Sequence, residues 1–260
     1  MSGELLFYRH EDGVIATGRL DTNGIFTHLA DGQLGTKWSH IVAVGRELLF
    51  YRSDNGFIAT ARLGSDGIYT HLADGQLSAG WTNINALGRE LLFYRRDDGV
   101  IATGRIDTNG IFTFLADGRL NAKWGPITGV GRELLFYRFV DGVIATGRID
   151  TNGIFTHLAE GRLNAKWGPI TALGRELLFY RRDDGVIATG RIDTNGIFTH
   201  LADGRLSANW THINALGREL LFYRFGDGVI ATGRIDTNGI FTFLADGQLS
   251  VDWRIITGVV

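Results

Sequence analysis

Three residue types recur in this sequence at positions that chemistry could use. A tryptophan stands at Trp38, Trp81, Trp124, Trp167, Trp210 and Trp253. An arginine follows a tyrosine at Arg9, Arg52, Arg95, Arg138, Arg181 and Arg224. A carboxylate sits in Ala-Asp-Gly or Ala-Glu-Gly at Asp31, Asp74, Asp117, Glu160, Asp203 and Asp246. An indole face can stack on the apolar C–H face of a pyranose. A guanidinium fork donates paired hydrogen bonds to hydroxyls or to an acidic sugar, and a carboxylate accepts from hydroxyls. Together they point to carbohydrate binding. Each has a structural reading beside it: indoles buried between packed elements, arginines paired with the carboxylates of the neighbouring Asp-Gly turns, and acids serving as turn residues.

Other motifs lead elsewhere or nowhere. The series His28, His71, Phe114, His157, His200, Phe243 puts its histidines in separate copies and replaces two with phenylalanine. A metal site needs converging ligands, so no metal and no cofactor is expected. Asp107-Thr108-Asn109-Gly110 opens like a calcium loop but places Ile111 where an oxygen ligand is required, so it is a turn. Asn209-Trp210-Thr211 is a lone glycosylation sequon. No Gly-x-Ser-x-Gly, phosphate-cradling or His-Glu-x-x-His motif occurs. Catalysis normally needs an asymmetric acid, base and nucleophile converging on one point. Groups copied evenly along the chain lead us to expect a binding protein and no enzyme, its weak sites strengthened by avidity.

Composition narrows the partners. The net charge is −2, from 26 basic and 28 acidic residues mixed along the chain. That provides no basic stripe for nucleic acid and no polybasic patch for a membrane surface. There are no cysteines, so disulfides and thiolate sites are excluded and the redox compartment is left open. Met1-Ser2-Gly3-Glu4 enters the first repeat directly, with no visible secretory signal. No apolar run approaches the roughly 20 residues that span a bilayer. A soluble chain of unassigned compartment is expected.

The elements that must position these residues follow from the repeat. Leu-Leu-Phe-Tyr-Arg begins at Leu5, Leu48, Leu91, Leu134, Leu177 and Leu220, a step of 43 residues each time. The third and fourth units differ at only six of those 43 positions, which means recent amplification or deliberate symmetrisation. Within the third unit four β-type runs are read: Trp124 to Val130, Glu90 to Arg95, Val100 to Ile106 and Ile111 to Leu115. Asp98-Gly99 and Asn109-Gly110 are hairpin turns. Four strands in about 40–45 residues mark a propeller blade. Leu-Leu-Phe is apolar throughout, as a strand covered on both faces reads. The chain opens on the second strand of a blade and ends on a tryptophan strand (Trp253 to Val259), so the last strand can complete the first blade and close a ring. We therefore expect an all-β, six-bladed β-propeller with four antiparallel strands per blade. It forms one domain over 1–260, in repeats 1–44, 45–87, 88–130, 131–173, 174–216 and 217–260. Antiparallel order gathers the tryptophans, Tyr94, Arg95, Phe114 and the Ala116 to Lys123 loop at one end of the ring. Arg105, the Asp-Thr-Asn-Gly turn and the Gly88-Arg89-Glu90 corner fall at the other. Longer, more varied loops place the expected site at the tryptophan end.

The order Trp-x-x-Ile, Leu-Leu-Phe-Tyr, Asp-Gly, Val-Ile-Ala resembles the tachylectin and tectonin class of propeller lectins over all six units. That resemblance implies metal-independent glycan sites between neighbouring blades, with N-acetylated sugars as typical ligands and glycans or glycoproteins as partners. The family's Gly-Gly before tryptophan survives here only in part, as Ala79-Gly80-Trp81, and its second tryptophan is replaced by Phe26, Tyr69, Phe112, Phe155, Phe198 and Phe241. A multivalent lectin is the expected function. The alternative is a symmetric interaction or engineered scaffold propeller without a natural ligand. A self-closed ring needs no partner to fold, so a monomer is expected.

Overall fold

The computed structural model describes residues 3–164 and 166–259. It is an all-β ring of six four-stranded antiparallel sheets. Blade 1 runs from the axis outward as Ile255–Val259, Glu4–Tyr8, Val14–Leu20 and Phe26–Gln33. Blade 2 runs as His40–Val44, Glu47–Tyr51, Phe57–Leu63 and Tyr69–Gln76, and the later blades repeat that order. The strands that open each blade, such as His40–Val44 and Asn83–Leu87, meet one another around the axis and are therefore innermost. The closing strand is where the sequence places it: Glu4 pairs with Val259 and Tyr8 with Ile255.

Leu-Leu-Phe-Tyr forms the second strand because its alternate side chains serve two different neighbours. Leu6 and Tyr8 pack against blade 2 beside Trp38, Ile41 and Phe50. Leu5 and Phe7 pack against blade 6 beside Leu221, Tyr223 and Ile230. A strand buried on both faces leaves no place for a polar alternate. The core is thus six inter-blade layers rather than one central mass.

Two polar devices lock the blades in register. Each tyrosine of Leu-Leu-Phe-Tyr is fully buried, and its hydroxyl sits in the crossing between blades. Tyr94 Oη accepts from the Trp124 backbone N–H at 3.1 Å and donates to Asn121 O at 3.1 Å. The mid-strand threonine of each blade donates to the Asn-Gly-type turn of the next: Thr17 to Gly67 O at 2.9 Å, Thr146 to Gly196 O at 2.8 Å, and finally Thr232 to Gly24 O at 2.9 Å, which joins blade 6 to blade 1. Replacing Tyr94 with Phe strips a buried N–H and a part-buried carbonyl of their partner. The expected loss is about 1–3 kcal/mol, seen as a lowered urea midpoint with an unchanged slope.

Four strand boundaries differ from the sequence reading of the third unit, two of them by a single residue, where Glu90–Tyr94 stops before Arg95 and Phe112–Arg119 starts after Ile111. The innermost strand of blade 4 starts at Ile127, because Lys123 takes a left-handed φ of 72° and Gly125-Pro126 follows the tryptophan. The outermost strand of blade 3 continues past Leu115 to Arg119. A bulge between Thr103 and Gly104 absorbs one extra residue, so pairing resumes as Thr103 with Ala116 and runs on to Val100 with Arg119. Ala-Asp-Gly, expected in a loop, is therefore strand.

Candidate functional site at the blade junctions

The three residue series expected to form one site are held in three different environments. The tryptophans are only 5–6 % exposed and lie between blades. Trp124, for example, packs with Leu92, Tyr94, Ile101, Ile127 and Phe136. No indole face is open for a sugar ring, so stacking on Trp38, Trp81, Trp124, Trp167, Trp210 or Trp253 is replaced by inter-blade packing. The physical reason is position: the indole immediately precedes the innermost strand, where the preceding blade closes over it.

The arginines are committed to their own blades. Arg9, Arg95, Arg138, Arg181 and Arg224 each pair with the turn aspartate three residues on, at 2.6–2.8 Å. Each guanidinium also lies 5.5–5.8 Å from the adjoining indole centroid. Blade 2 has Asn55 where the others have aspartate, and there Arg52 closes to 4.6 Å over Trp38. The arginine hydrogen bonds hold the carboxyls of Asp98, Asp141 and Asp184 down at about 2. Those folded-state values lie below the unfolded value of about 3.9, so the pairs stabilise the fold above that pH and lose their contribution as pH falls toward 2. Melting temperature is expected to drop across that window. A triple variant Asp98→Asn, Asp141→Asn, Asp184→Asn should show a shallower drop.

The acids behave differently, because the extended outermost strand carries them to the surface. Their side chains are 58–75 % exposed where they meet a histidine of the same strand. His28, His71 and His200 lie 3.0–3.1 Å from Asp31, Asp74 and Asp203, and His157 lies 3.5 Å from Glu160. The bulge makes these contacts possible by restoring the acid to the histidine's face. In blades 3 and 6, Phe114 and Phe243 take the histidine position and are 57 % and 56 % exposed.

These acids line a pocket that the neighbouring blade completes. Asp193 Oδ1 accepts from the backbone N–H groups of Asn195 and Ile197 at 2.9 and 2.8 Å, which fixes the blade 5 turn. Thr146 of blade 4 anchors that turn through Gly196 O. Ile197 and Phe198 are thereby set beside Glu160, Gly161 and Arg162, around a pocket of about 200 Å³. The same pocket, of about 150–180 Å³, recurs around Asp74 and Gln76, around Asp203 and Arg205, and around Asp246 and Gln248. Each offers a carboxylate, a guanidinium or amide, and the edge of an isoleucine that is 52 % exposed in Ile25, Ile111, Ile197 and Ile240.

Blade 2 departs from this pattern at the junction it shares with blade 1. The other blades have a glycine under the phenylalanine ring; a Cβ on Gly18 would fall 2.3 Å from Phe26 Cζ. Blade 2 has Ala61 there, and Tyr69 in place of phenylalanine. The Tyr69 ring comes within 3.5 Å of where a Cβ on Gly32 would lie, and its hydroxyl donates to Gln33 O at 2.8 Å.

The isoleucines and the Arg162-type position were not singled out in the sequence. The signal was present: an isoleucine follows every Asn-Gly or Asp-Gly of the outer turn, where a polar residue would be ordinary.

No protein-family model matches the chain, and no curated protein matches it. Among solved structures, a Bacteroides fragilis protein to which 6-phosphogluconolactonase activity is ascribed aligns at 12 % identity with a TM-score of 0.67, over 100 % of this chain and 98 % of its own. The periplasmic gluconolactonase PpgL of Pseudomonas aeruginosa aligns at 15 % identity and a TM-score of 0.64, over 100 % of this chain and 99 % of its own. A chain of a nidogen/laminin complex gives 14 % and 0.62, over 100 % and 99 %. These likenesses show the propeller fold. They also correct one expectation: proteins named as lactonases share this architecture, so repeated blades give no ground for setting catalysis aside. The general propeller class is shown, and the finer tachylectin and tectonin resemblance is not.

Proposed function

We propose that the chain is a multivalent carbohydrate-binding protein whose sites are the blade-junction pockets. The observation that carries this reading is the recurrence of one pocket at four junctions, each joining a carboxylate and a guanidinium or amide to an apolar edge. A sugar presents the matching mixture of hydroxyls and a C–H face. The isoleucine edge meets the C–H face, the carboxylate accepts from hydroxyls, and Arg162 or Arg205 donates to ring or acetamido oxygens. Small pockets hold one sugar residue weakly, and copies spaced around a rigid ring raise the binding to a glycan-bearing surface. This keeps the junction sites implied by the family resemblance and transfers the recognition from indole to isoleucine and acid.

A glycan array probed with the labelled protein, with and without a chelator, tests the reading. Retention on a coherent set of terminal sugars, unchanged by chelation, is the expected result. A blank array with folded protein overturns it and favours a scaffold that binds no sugar.

A further inference from the structure

At the end of the ring opposite the tryptophans, charged residues form concentric bands. Innermost are Arg46, Arg89, Arg132, Arg175 and Arg218, all exposed. Each is the second residue of a two-residue turn whose glycine has φ of 63–66°. The turn joins the innermost strand to the second, so it stands at the mouth of the axis. The next band holds the six glutamates that begin the second strands, and the third holds the six arginines from Arg19 to Arg234.

The wiring between bands leaves positive charge at the mouth. Glu133 lies 3.3 Å from Arg148 of its own blade and 4.0 Å from Arg175 of the next. Glu4 meets Arg46 of the next blade at 3.3 Å. Glu133 is thus shared by two arginine bands while Glu4 and Glu47 each meet one, and the two bands together set eleven guanidinium groups against six glutamates. The turn aspartates lie farther out, and carboxyls such as that of Asp107 are turned onto their own backbone N–H groups. Among the described residues, Arg89, Arg132 and Arg218 have no carboxylate within the 4.0 Å that defines an ion pair. A depression of about 730 Å³ opens at this mouth between blades 2 and 3, with three arginines, Arg46, Arg62 and Arg89, and one carboxylate, Glu47, in its wall.

We propose that the axial mouth at the Gly-Arg turns binds a small anion carrying two or more phosphate groups. Guanidinium forks match phosphate oxygens in bidentate geometry. Several of them fixed on short turns are already ordered before the ligand arrives. A small anion can be held at the arginines that have no carboxylate partner, whereas an extended polyanion would span the glutamate band and the turn aspartates as well. This site is distinct from the junction pockets.

Titration of the full chain with sodium tripolyphosphate by calorimetry, at two potassium chloride concentrations, tests the proposal. Saturable binding of about one tripolyphosphate per chain, weaker at higher salt, is expected. The variant Arg89→Gln, Arg132→Gln, Arg218→Gln removes guanidinium groups that hold no glutamate, so its melting curve should match the parent while its affinity falls about tenfold or more. A control variant Arg119→Gln, Arg162→Gln, Arg205→Gln, altered at the outermost strands, should bind tripolyphosphate as the parent does. No saturable heat with the parent chain, or equal affinity in the first variant, overturns the proposal. Glycan binding by the first variant should be unchanged, so failure here and failure of the junction reading are told apart.

Discussion

Deleting residues 253–260 should abolish the cooperative fold. The deletion removes Trp253, Ile256 and Val259, all buried, and with them the five-residue pairing from Glu4–Val259 to Tyr8–Ile255. It also removes the Thr257 hydroxyl that donates to Ile41 O at 3.0 Å and the Trp253 N–H that Tyr223 accepts at 3.2 Å. Three buried side chains at about 1.5–3 kcal/mol each, with several ladder hydrogen bonds at about 1 kcal/mol, match the roughly 5–15 kcal/mol that holds a typical domain together. The exposed Leu5-Leu6-Phe7-Tyr8 edge would then pair with other chains. Size-exclusion chromatography and a thermal melt measure both effects. A peptide of residues 250–260 added in trans should restore the parent's elution position and its transition. A truncated chain that elutes and melts like the parent would show that this strand does not close the ring.

The second large effect concerns the acids. In the variant Asp31→Asn, Asp74→Asn, Asp117→Asn, Glu160→Gln, Asp203→Asn, Asp246→Asn, every junction loses its carboxylate while the apolar edge and the propeller remain. Retention on a glycan-coated surface is expected to fall by about 10²–10⁴, the usual gain from linked sites. Stability should shift little, because these side chains are exposed and bear on no core contact. Trp124→Phe should do the reverse: it leaves surface binding in place and lowers the melting temperature, since that indole fills an inter-blade layer. Lost binding in the tryptophan variant and retained binding in the acid variant would move the site back to the tryptophan end.

Within one blade, the sequence was a good guide. The 43-residue step, the two hairpin turns and the position of the closing strand all follow from local patterns, since a strand's period and a turn's need for positive φ act over a few residues. What lay beyond reach was set by neighbours. Ala-Asp-Gly carries turn residues, yet the bulge opposite Thr103 and Gly104 returns it to the ladder. The tryptophans read as candidates for surface contact, but the preceding blade covers them. The arginine after each Gly of the Gly-Arg turn reads as an ordinary corner residue until the ring gathers five of them at one mouth.

Blade 2 gives the molecule a built-in reference. Ala61 and Tyr69 form a coupled exchange: the methyl group stands under the place where the ring would lie, and the ring lies instead against the preceding blade. The junction of blades 1 and 2 is consequently filled by the protein's own side chain, at the same temperature, in the same solvent and on the same scaffold as the unfilled ones. Any ligand signal resolved junction by junction can be read against that one as background, and the pair Ala61→Gly, Tyr69→Phe would convert it into a further vacant copy.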